Sequence, residues 1–213
     1  IVLGSVLPTI VTTATAGTLT ITGPGSSLLV ISGNNGDVNR NFNVFNIASG
    51  GNLSISGMTV SGAKTTSNGG GFSNLGTLSV SNSLISGNIA AGGGGIYSRG
   101  VLTVNNSTFS GNSTTSQNGG AVWNYGGSAN SNIFNSTISS NTATTSSGGG
   151  ISNTGGAVTL SNSTLFGNQA AAGGGIFNNA NGTFTIFNST ISHNSATNNG
   201  GGIHVGSGTL NIS

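Results

Sequence analysis

The chain has 213 residues, of which only 2% are charged, and its formal net charge is +2. Three cations and one anion do not make a basic patch, so the composition excludes a protein that neutralises a run of nucleic-acid phosphates. The lack of cysteine excludes disulfides and thiolate metal sites. The sequence also has no run of 18 apolar residues, which is the pattern that predicts a membrane-spanning helix. Low charge with abundant Gly, Asn, Ser and Thr favours an extracellular or cell-surface protein.

The N-terminal segment has two interpretations. It runs to Ala14-Thr15-Ala16, as a secretory signal peptide would, but it lacks a Met start and a basic segment, and it contains Pro8. We therefore favour a first pair of strands, and we expect any export signal to lie upstream of residue 1.

Two motifs recur along the rest of the chain. Three glycines followed by an apolar residue end at Phe72, Ile96, Ile151, Ile176 and Ile203, and a Gly-Gly-Ala variant ends at Val122. Successive copies are about 24–29 residues apart, which lies in the range of stacked repeat proteins. An Asn-Ser-Thr motif keeps the same period at 106–112, 135–141 and 188–194. This period predicts one structural unit stacked on copies of itself.

Each repeat carries three short apolar patterns of period two, which predict strands and no helix. The first pattern follows the glycines, and the second is an alternating pair such as Leu102/Val104. We follow the second member of this pair through Ile31, Ile55, Val80, Val104, Ile133, Leu160, Ile186 and Ile212. The third pattern lies five residues further on, at Val60, Ile85, Phe109, Ile138, Leu165 and Ile191.

Pairing each strand with its equivalent in the next repeat yields an all-β fold, a single-stranded right-handed parallel β-helix with three sheets. We expect about eight turns of 24–29 residues, a rod on the order of 40 Å long. The right hand follows from the rule for parallel crossovers. One β-solenoid domain should cover 1–213, with an irregular first turn at 1–28 and regular turns at 29–213, as part of a longer chain or as an assembling subunit.

The glycines and two asparagine columns are expected to serve the backbone. The glycine triplets predict a bend with positive φ, or crowding by neighbouring turns. We expect the first column to form stacked amides along the axis, and it comprises Asn82, Asn106, Asn135, Asn162 and Asn188. We expect the second column to form turns, and it comprises Asn88, Asn112, Asn141, Asn168 and Asn194.

These repeats resemble those of bacterial right-handed parallel β-helix surface proteins with polymorphic outer-membrane-protein-type repeats. That family pairs a GGA-aliphatic motif with an F-x-x-N motif, and residues 119–122 and 109–112 match the two motifs fully. The other copies of the first motif carry GGGI or, at 69–72, GGGF, and the other copies of the second motif carry Ile or Leu in place of Phe. The resemblance covers roughly residues 17–213, and it implies a β-helix that works in adhesion or surface display.

Two kinds of outward side chain are candidate binding residues. Threonines should form one column at Thr103, Thr159 and Thr185 and another at Thr108, Thr137, Thr164 and Thr190. Regular hydroxyls suit sugar or ice, although Ser and Thr also simply keep an uncharged strand surface wet. Tyr97, Trp123 and Tyr125 form either a sugar-stacking patch or rim packing.

Catalysis lacks candidate groups. Glycoside hydrolysis needs paired carboxylates, whereas Asp37 is the one acidic residue and is best explained as a loop ion pair with Arg40. His193 should be an exposed loop residue and His204 should point outward, and two histidines without an acid or thiol make a poor metal site. We expect no enzyme activity, no cofactor and no metal.

The sequence therefore favours a non-enzymatic extracellular rod, structural or adhesive. The chain stops in mid-strand at residues 210–213, so we expect either that further residues follow or, as the preferred interpretation, that it stacks head to tail on itself as a filament. Surface glycans or other cells are further expected partners, and nucleic acid and membrane insertion are not. The alternatives are a carbohydrate- or ice-binding protein that uses the Ser/Thr columns, and a polysaccharide lyase or hydrolase relative without catalytic residues.

Overall fold

The computed structural model describes residues 1–5, 7–11, 17–33 and 41–213. All named strands pair in parallel with the equivalent strand of the neighbouring turn, and no described residue is helical. Two sheets have seven strands and one has eight, so the coil makes about seven turns. The prediction of a helix-free parallel β-solenoid is confirmed for the described part of the chain, whereas its handedness stays a prediction.

The strands form four sheets, numbered here by their order within a turn from the glycine triplet onward. Sheet 1 follows the triplet and contains Phe45–Ile47, Phe72–Asn74, Ile96–Ser98, Val122–Tyr125, Ile151–Thr154, Ile176–Asn179 and Ile203–Val205. Sheet 2 contains Leu19–Thr22, Asn52–Ser56, Thr77–Ser81, Val101–Asn105, Asn130–Phe134, Ala157–Ser161, Gly182–Phe187 and Gly208–Ile212. Sheet 3 contains Val30–Ser32, Thr59–Ser61, Leu84–Ser86, Thr108–Ser110, Thr137–Ser139, Thr164–Phe166 and Thr190–Ser192. Sheet 4 contains Ile89–Ala90, Ser113–Thr114, Thr142–Ser147, Gln169–Ala172 and Ser195–Asn199.

The prediction of three sheets is wrong by one, because sheet 4 occupies segments between the third apolar pattern and the glycine triplets, where no strand was predicted. Its strands are as short as two residues and consist mainly of small or polar side chains, so they show no apolar alternation. The extra residues of Thr142–Ser147 are absorbed by a register shift between Ala143 and Ser147. With about seven turns rather than eight, the rod is roughly 34 Å long.

The register of sheet 2 agrees with the predicted apolar column from Ile55 to Ile212. Ile31, the predicted first member of the column, was assigned wrongly. Ile21 pairs with Ile55 in sheet 2, whereas Ile31 pairs with Val60 in sheet 3. The first turn is longer than the predicted period, since the paired residues Thr22 and Ser56 have a sequence separation of 34. The expectation of a period of about 24–29 residues therefore selected the wrong isoleucine.

Inward side chains of sheets 1, 2 and 3 form one continuous apolar core along the axis. Phe45 and Phe72 stack at its N-terminal part, with ring centroids 5.1 Å apart and an interplanar angle of 9°. Each fully buried Leu, Ile or Phe stabilises the fold by roughly 1.5–3 kcal/mol relative to an exposed one. The core therefore explains the regular recurrence of single aliphatic residues.

The described residues between positions 1 and 11 lie against the first complete turn. Val2 and Ile10 form isolated bridges with Ser32 and Ile47, so this segment extends sheets 3 and 1 without forming the expected pair of strands. Leu3 and Leu7 pack against the core. Residues 14–16, which resemble a signal-peptide cleavage site, lie outside the described residues.

The glycine triplets show both expected properties, positive φ and crowding by the neighbouring turn, but the two properties belong to different glycines. Gly93, the first of its triplet, has φ +59°, and an added Cβ would lie 2.5 Å from the carbonyl oxygen of Ile96. Gly94, the second, would place a Cβ 2.5 Å from the carbonyl oxygens of both Gly120 and Ser113. The first glycine thus permits the bend between sheets 4 and 1, and the second allows adjacent turns to approach closely.

Candidate functional surfaces

The second asparagine column lines the interior as a ladder of amides. Its hydrogen bonds repeat at every turn: the amide group of Asn112 donates to Asn141 Oδ1 at 3.0 Å, and the backbone N–H of Asn112 donates to the same oxygen at 2.9 Å. Asn112 also donates to the carbonyl oxygen of Ile85 at 2.9 Å. Asn88, Asn112, Asn141 and Asn168 are fully buried. This column is structural, and its role as turn residues was predicted wrongly.

The first asparagine column forms the turns that we expected of the second column. Its members are exposed and have φ between +46° and +52°, so they form left-handed turns between sheets 2 and 3. Their amides pair only in places, with Asn106 donating to Asn82 at 2.6 Å and Asn135 donating to Asn105 at 3.1 Å. These asparagines, all of them described, therefore do not form the expected continuous amide stack.

Two further polar ladders were missed by the sequence analysis. Asn124 donates to Asn153 Oδ1 at 2.8 Å, and Asn153 donates to Asn178 Oδ1 at 2.9 Å, inside sheet 1. These residues stand two places after the apolar residue of the glycine motif, so the pattern Gly-Gly-Gly/Ala-aliphatic-x-Asn was the available signal.

The second missed ladder uses the serine of the Asn-Ser-Thr motif. The backbone N–H of Ser107 donates to Ser136 Oγ at 3.2 Å, and Ser136 Oγ donates to the carbonyl oxygen of Phe134 at 2.8 Å. Ser83, Ser107, Ser136 and Ser163 are buried and repeat this arrangement turn by turn. The side chains of these interior ladders are therefore occupied by hydrogen bonds, and the outer faces of the coil carry the candidate binding residues.

Sheet 2 presents a long, uncharged outer face. Its central column runs in register through all eight strands and consists of Thr20, Ser54, Ser79, Thr103, Asn132, Thr159, Thr185 and Asn211. Neighbouring members are about 4.8 Å apart, the spacing of hydrogen-bonded strands. The structure thus brings Thr103, Thr159 and Thr185 onto one face as predicted, although Asn132 interrupts the threonines.

Sheet 3 carries the second predicted column. Thr108, Thr137, Thr164 and Thr190 are aligned in consecutive strands. Thr137 and Thr190 are exposed, and Thr108 and Thr164 are half-buried. These strands are three residues long, so this face is narrower than that of sheet 2.

The three predicted aromatic residues form one cluster at the outer side of sheet 1. Tyr97 pairs in register with Trp123, and their ring centroids are 5.2 Å apart. Both are buried, whereas Tyr125 is 39% exposed. Burial raises the pKa of the Tyr97 phenol, and the charge of Arg99 opposes the rise. Tyr97 and Trp123 therefore act as packing residues, and Tyr125 is the ring accessible to a ligand.

The histidines lie against separate phenylalanines. His193 is exposed, has φ +56° and contacts Phe166 at 4.9 Å between ring centroids. His204 stacks on Phe177 in the outward column of sheet 1, at 5.6 Å. The described residues contain no group of three or more His, Cys, Asp or Glu side chains that could hold a metal. The expected ion pair of Asp37 with Arg40 lies outside the described residues.

An apolar cavity of about 590 Å³ opens at the N-terminal end of the rod. Leu7, Ile10, Leu19, Ile21 and Phe45 contribute to its wall. Within the described ranges, no helix has the length and apolarity to cross a membrane.

Comparison of the chain with protein-family models, curated proteins and solved structures yields no match. The structure therefore defines the class of the protein, a repeat-based parallel β-solenoid, from its own geometry.

Proposed function

We propose that this protein is a non-enzymatic, extracellular β-solenoid that acts as a structural or adhesive rod. The observation that carries the proposal is the use of the repeated polar residues: the buried asparagines and serines bond along the axis, which rigidifies the coil. The resemblance of the repeats to those of bacterial β-helix surface proteins supports a surface location.

The scarcity of acidic side chains also favours a non-enzymatic protein. The whole chain has one acidic side chain, Asp37, whereas a glycoside hydrolase uses two carboxylates. The outer face of sheet 2 is neutral and polar, which suits contact with another surface. Head-to-tail assembly of rods into a filament stays a prediction.

Surface staining tests the proposed location. An antibody raised against the purified rod is expected to label intact, unpermeabilised cells of the source organism, because an extracellular rod is accessible from outside. A parallel assay with neutral and acidic polysaccharides should release no sugar fragments. Labelling that requires permeabilised cells, or measurable release of fragments, would contradict the proposal.

The face of sheet 2 supports a second candidate, binding of ice or a neutral polysaccharide. Its central column offers hydroxyl and amide groups at a constant spacing over eight strands. A regular lattice of this kind matches a regular ligand surface.

Thr159→Lys tests this candidate, because it places a charge in the middle of the sheet 2 face. If the face binds ice, the wild type is expected to show thermal hysteresis, and Thr159→Lys should abolish most of it. Thr137→Lys on sheet 3 is the matched control and should retain the effect. A wild type without thermal hysteresis and without binding to insoluble neutral polysaccharide would reject this second candidate.

A further inference from the structure

A cation lies beside an exposed aromatic ring at the corner between sheets 1 and 2. The guanidinium carbon of Arg99 is 5.5 Å from the ring centroid of Tyr125. Both residues follow the register pair formed by Ser98 and Asn124, so they occupy equivalent positions in adjacent turns. Arg99 is exposed, as is Tyr125. The corner therefore presents a charge and a ring side by side.

The neighbouring side chains hold the Tyr125 ring in place. Trp123 contacts it edge-on at 5.0 Å between ring centroids, and Tyr97 lies at 6.0 Å. The indole N–H of Trp123 donates to Thr154 Oγ1 at 2.7 Å, which orients the indole. A ring that is already ordered loses little conformational entropy when a ligand binds.

The charge of Arg99 has no acidic side chain to balance it in the described part of the chain, since Lys64 and Arg99 are the charged side chains found there. A guanidinium group offers five N–H donors in a planar arrangement that matches a carboxylate. Aromatic rings contribute an apolar surface with a polar edge. We propose that Arg99 and Tyr125 bind a carboxylate-bearing sugar of an acidic polysaccharide.

The surroundings favour a polysaccharide over a small anion. Leu75 occupies the position equivalent to Arg99 in the preceding turn, and Val101 follows Arg99 by two residues; they are 44% and 42% exposed and add apolar surface near Arg99. The neutral face of sheet 2 begins at Val101, two residues after Arg99, so an extended chain has uncharged hydroxyl and amide groups to follow. The net charge of +2 does not repel a negatively charged polymer. This proposal rests on the adhesive function, for which it names the ligand class.

Binding of alginate, in which every sugar carries a carboxylate, tests the site. The matched ligand is the propylene-glycol ester of alginate, in which esterification removes charge from the same backbone. We expect the wild type to bind alginate, to bind the ester at least about tenfold more weakly, and to lose affinity as salt rises.

Arg99→Gln should weaken alginate binding by about tenfold or more, because a charge-assisted hydrogen-bond pair is lost. Arg99→Lys should restore only part of the affinity, since an ammonium group lacks the planar fork. Lys64→Gln removes the same charge elsewhere and should leave binding unchanged. Tyr125→Ala tests the contribution of the ring to alginate binding. The melting temperature of each variant shows whether the variant is folded.

Three outcomes would overturn the proposal: no alginate binding by the wild type, equal losses in Arg99→Gln and Lys64→Gln, or equally tight, Arg99-dependent binding of polyglutamate. The last outcome would assign the site to acidic peptides. Surface staining is independent of these measurements, so a location on the cell surface without alginate binding would reject this site and leave the proposed function standing.

Discussion

Replacing Asn141 with leucine is expected to lower the free energy of unfolding by at least about 3 kcal/mol. Asn141 is fully buried and donates to Asn168 Oδ1 at 2.9 Å and to the carbonyl oxygen of Phe109 at 3.1 Å. Its own Oδ1 accepts from both the side chain and the backbone N–H of Asn112. Leucine would leave these buried groups without partners, at about 1–3 kcal/mol for each one that stays unsatisfied. Denaturant-induced unfolding followed by circular dichroism measures the loss.

Asn132→Leu is the matched control, because it makes the same substitution on the outer face of sheet 2. It should change stability by less than about 0.5 kcal/mol, as most surface substitutions do. Equal effects of the two variants would show that the interior ladder contributes nothing beyond the volume of its side chains.

Gly94→Ala is expected to destabilise the rod by at least about 3 kcal/mol, or to prevent folding, because the added methyl group forces two turns apart. Its Cβ would lie 2.5 Å from the carbonyl oxygens of Gly120 and Ser113. Moving these atoms also disturbs the hydrogen bond from Gly94 N to Gly119 O, 3.1 Å long, which joins the same turns. Thermal and denaturant unfolding measure the effect.

Gly111→Ala separates crowding from backbone conformation. Gly111 has φ +63°, but an added Cβ would meet nothing within 4 Å. We expect a loss of about 1–2 kcal/mol from the left-handed conformation alone. Ser140 and His193 occupy the equivalent position with φ +56°, so side chains are tolerated there. If Gly111→Ala cost as much as Gly94→Ala, the close approach of turns would not explain the second glycine of the triplet.

The two asparagine columns show which properties of the polar residues could be predicted from the sequence. Both asparagine columns have the same residue type and the same period, so neither of these two features assigns one column to the interior. The difference lies in the backbone: Asn106 itself takes φ +47°, whereas Gly111 takes the left-handed conformation before Asn112. This rotation directs Asn112 into the core, and only the three-dimensional structure reveals it.

The Arg99–Tyr125 pair illustrates the same limit. The sequence places Tyr97, Trp123 and Tyr125 in adjacent turns, because the glycine motif supplies a register. It does not indicate that Tyr97 and Trp123 are buried while Tyr125 is exposed, nor that the Arg99 guanidinium lies over that ring. These properties depend on how the corner between sheets 1 and 2 bends.

The repeated apolar pattern predicts the parallel β-solenoid, the register of its aliphatic columns from Ile55 onward and the absence of helix in the described residues, because such a pattern is satisfied only when equivalent residues stack. The fourth sheet, the place of Ile31 in sheet 3 and the choice of polar columns that face inward are visible only in the folded chain. Those features depend on backbone turns at single residues such as Gly111 and on pairing between two-residue strands such as Ile89–Ala90 and Ser113–Thr114. Such strands carry no hydrophobic period, so their partners are chosen by the turns above and below them.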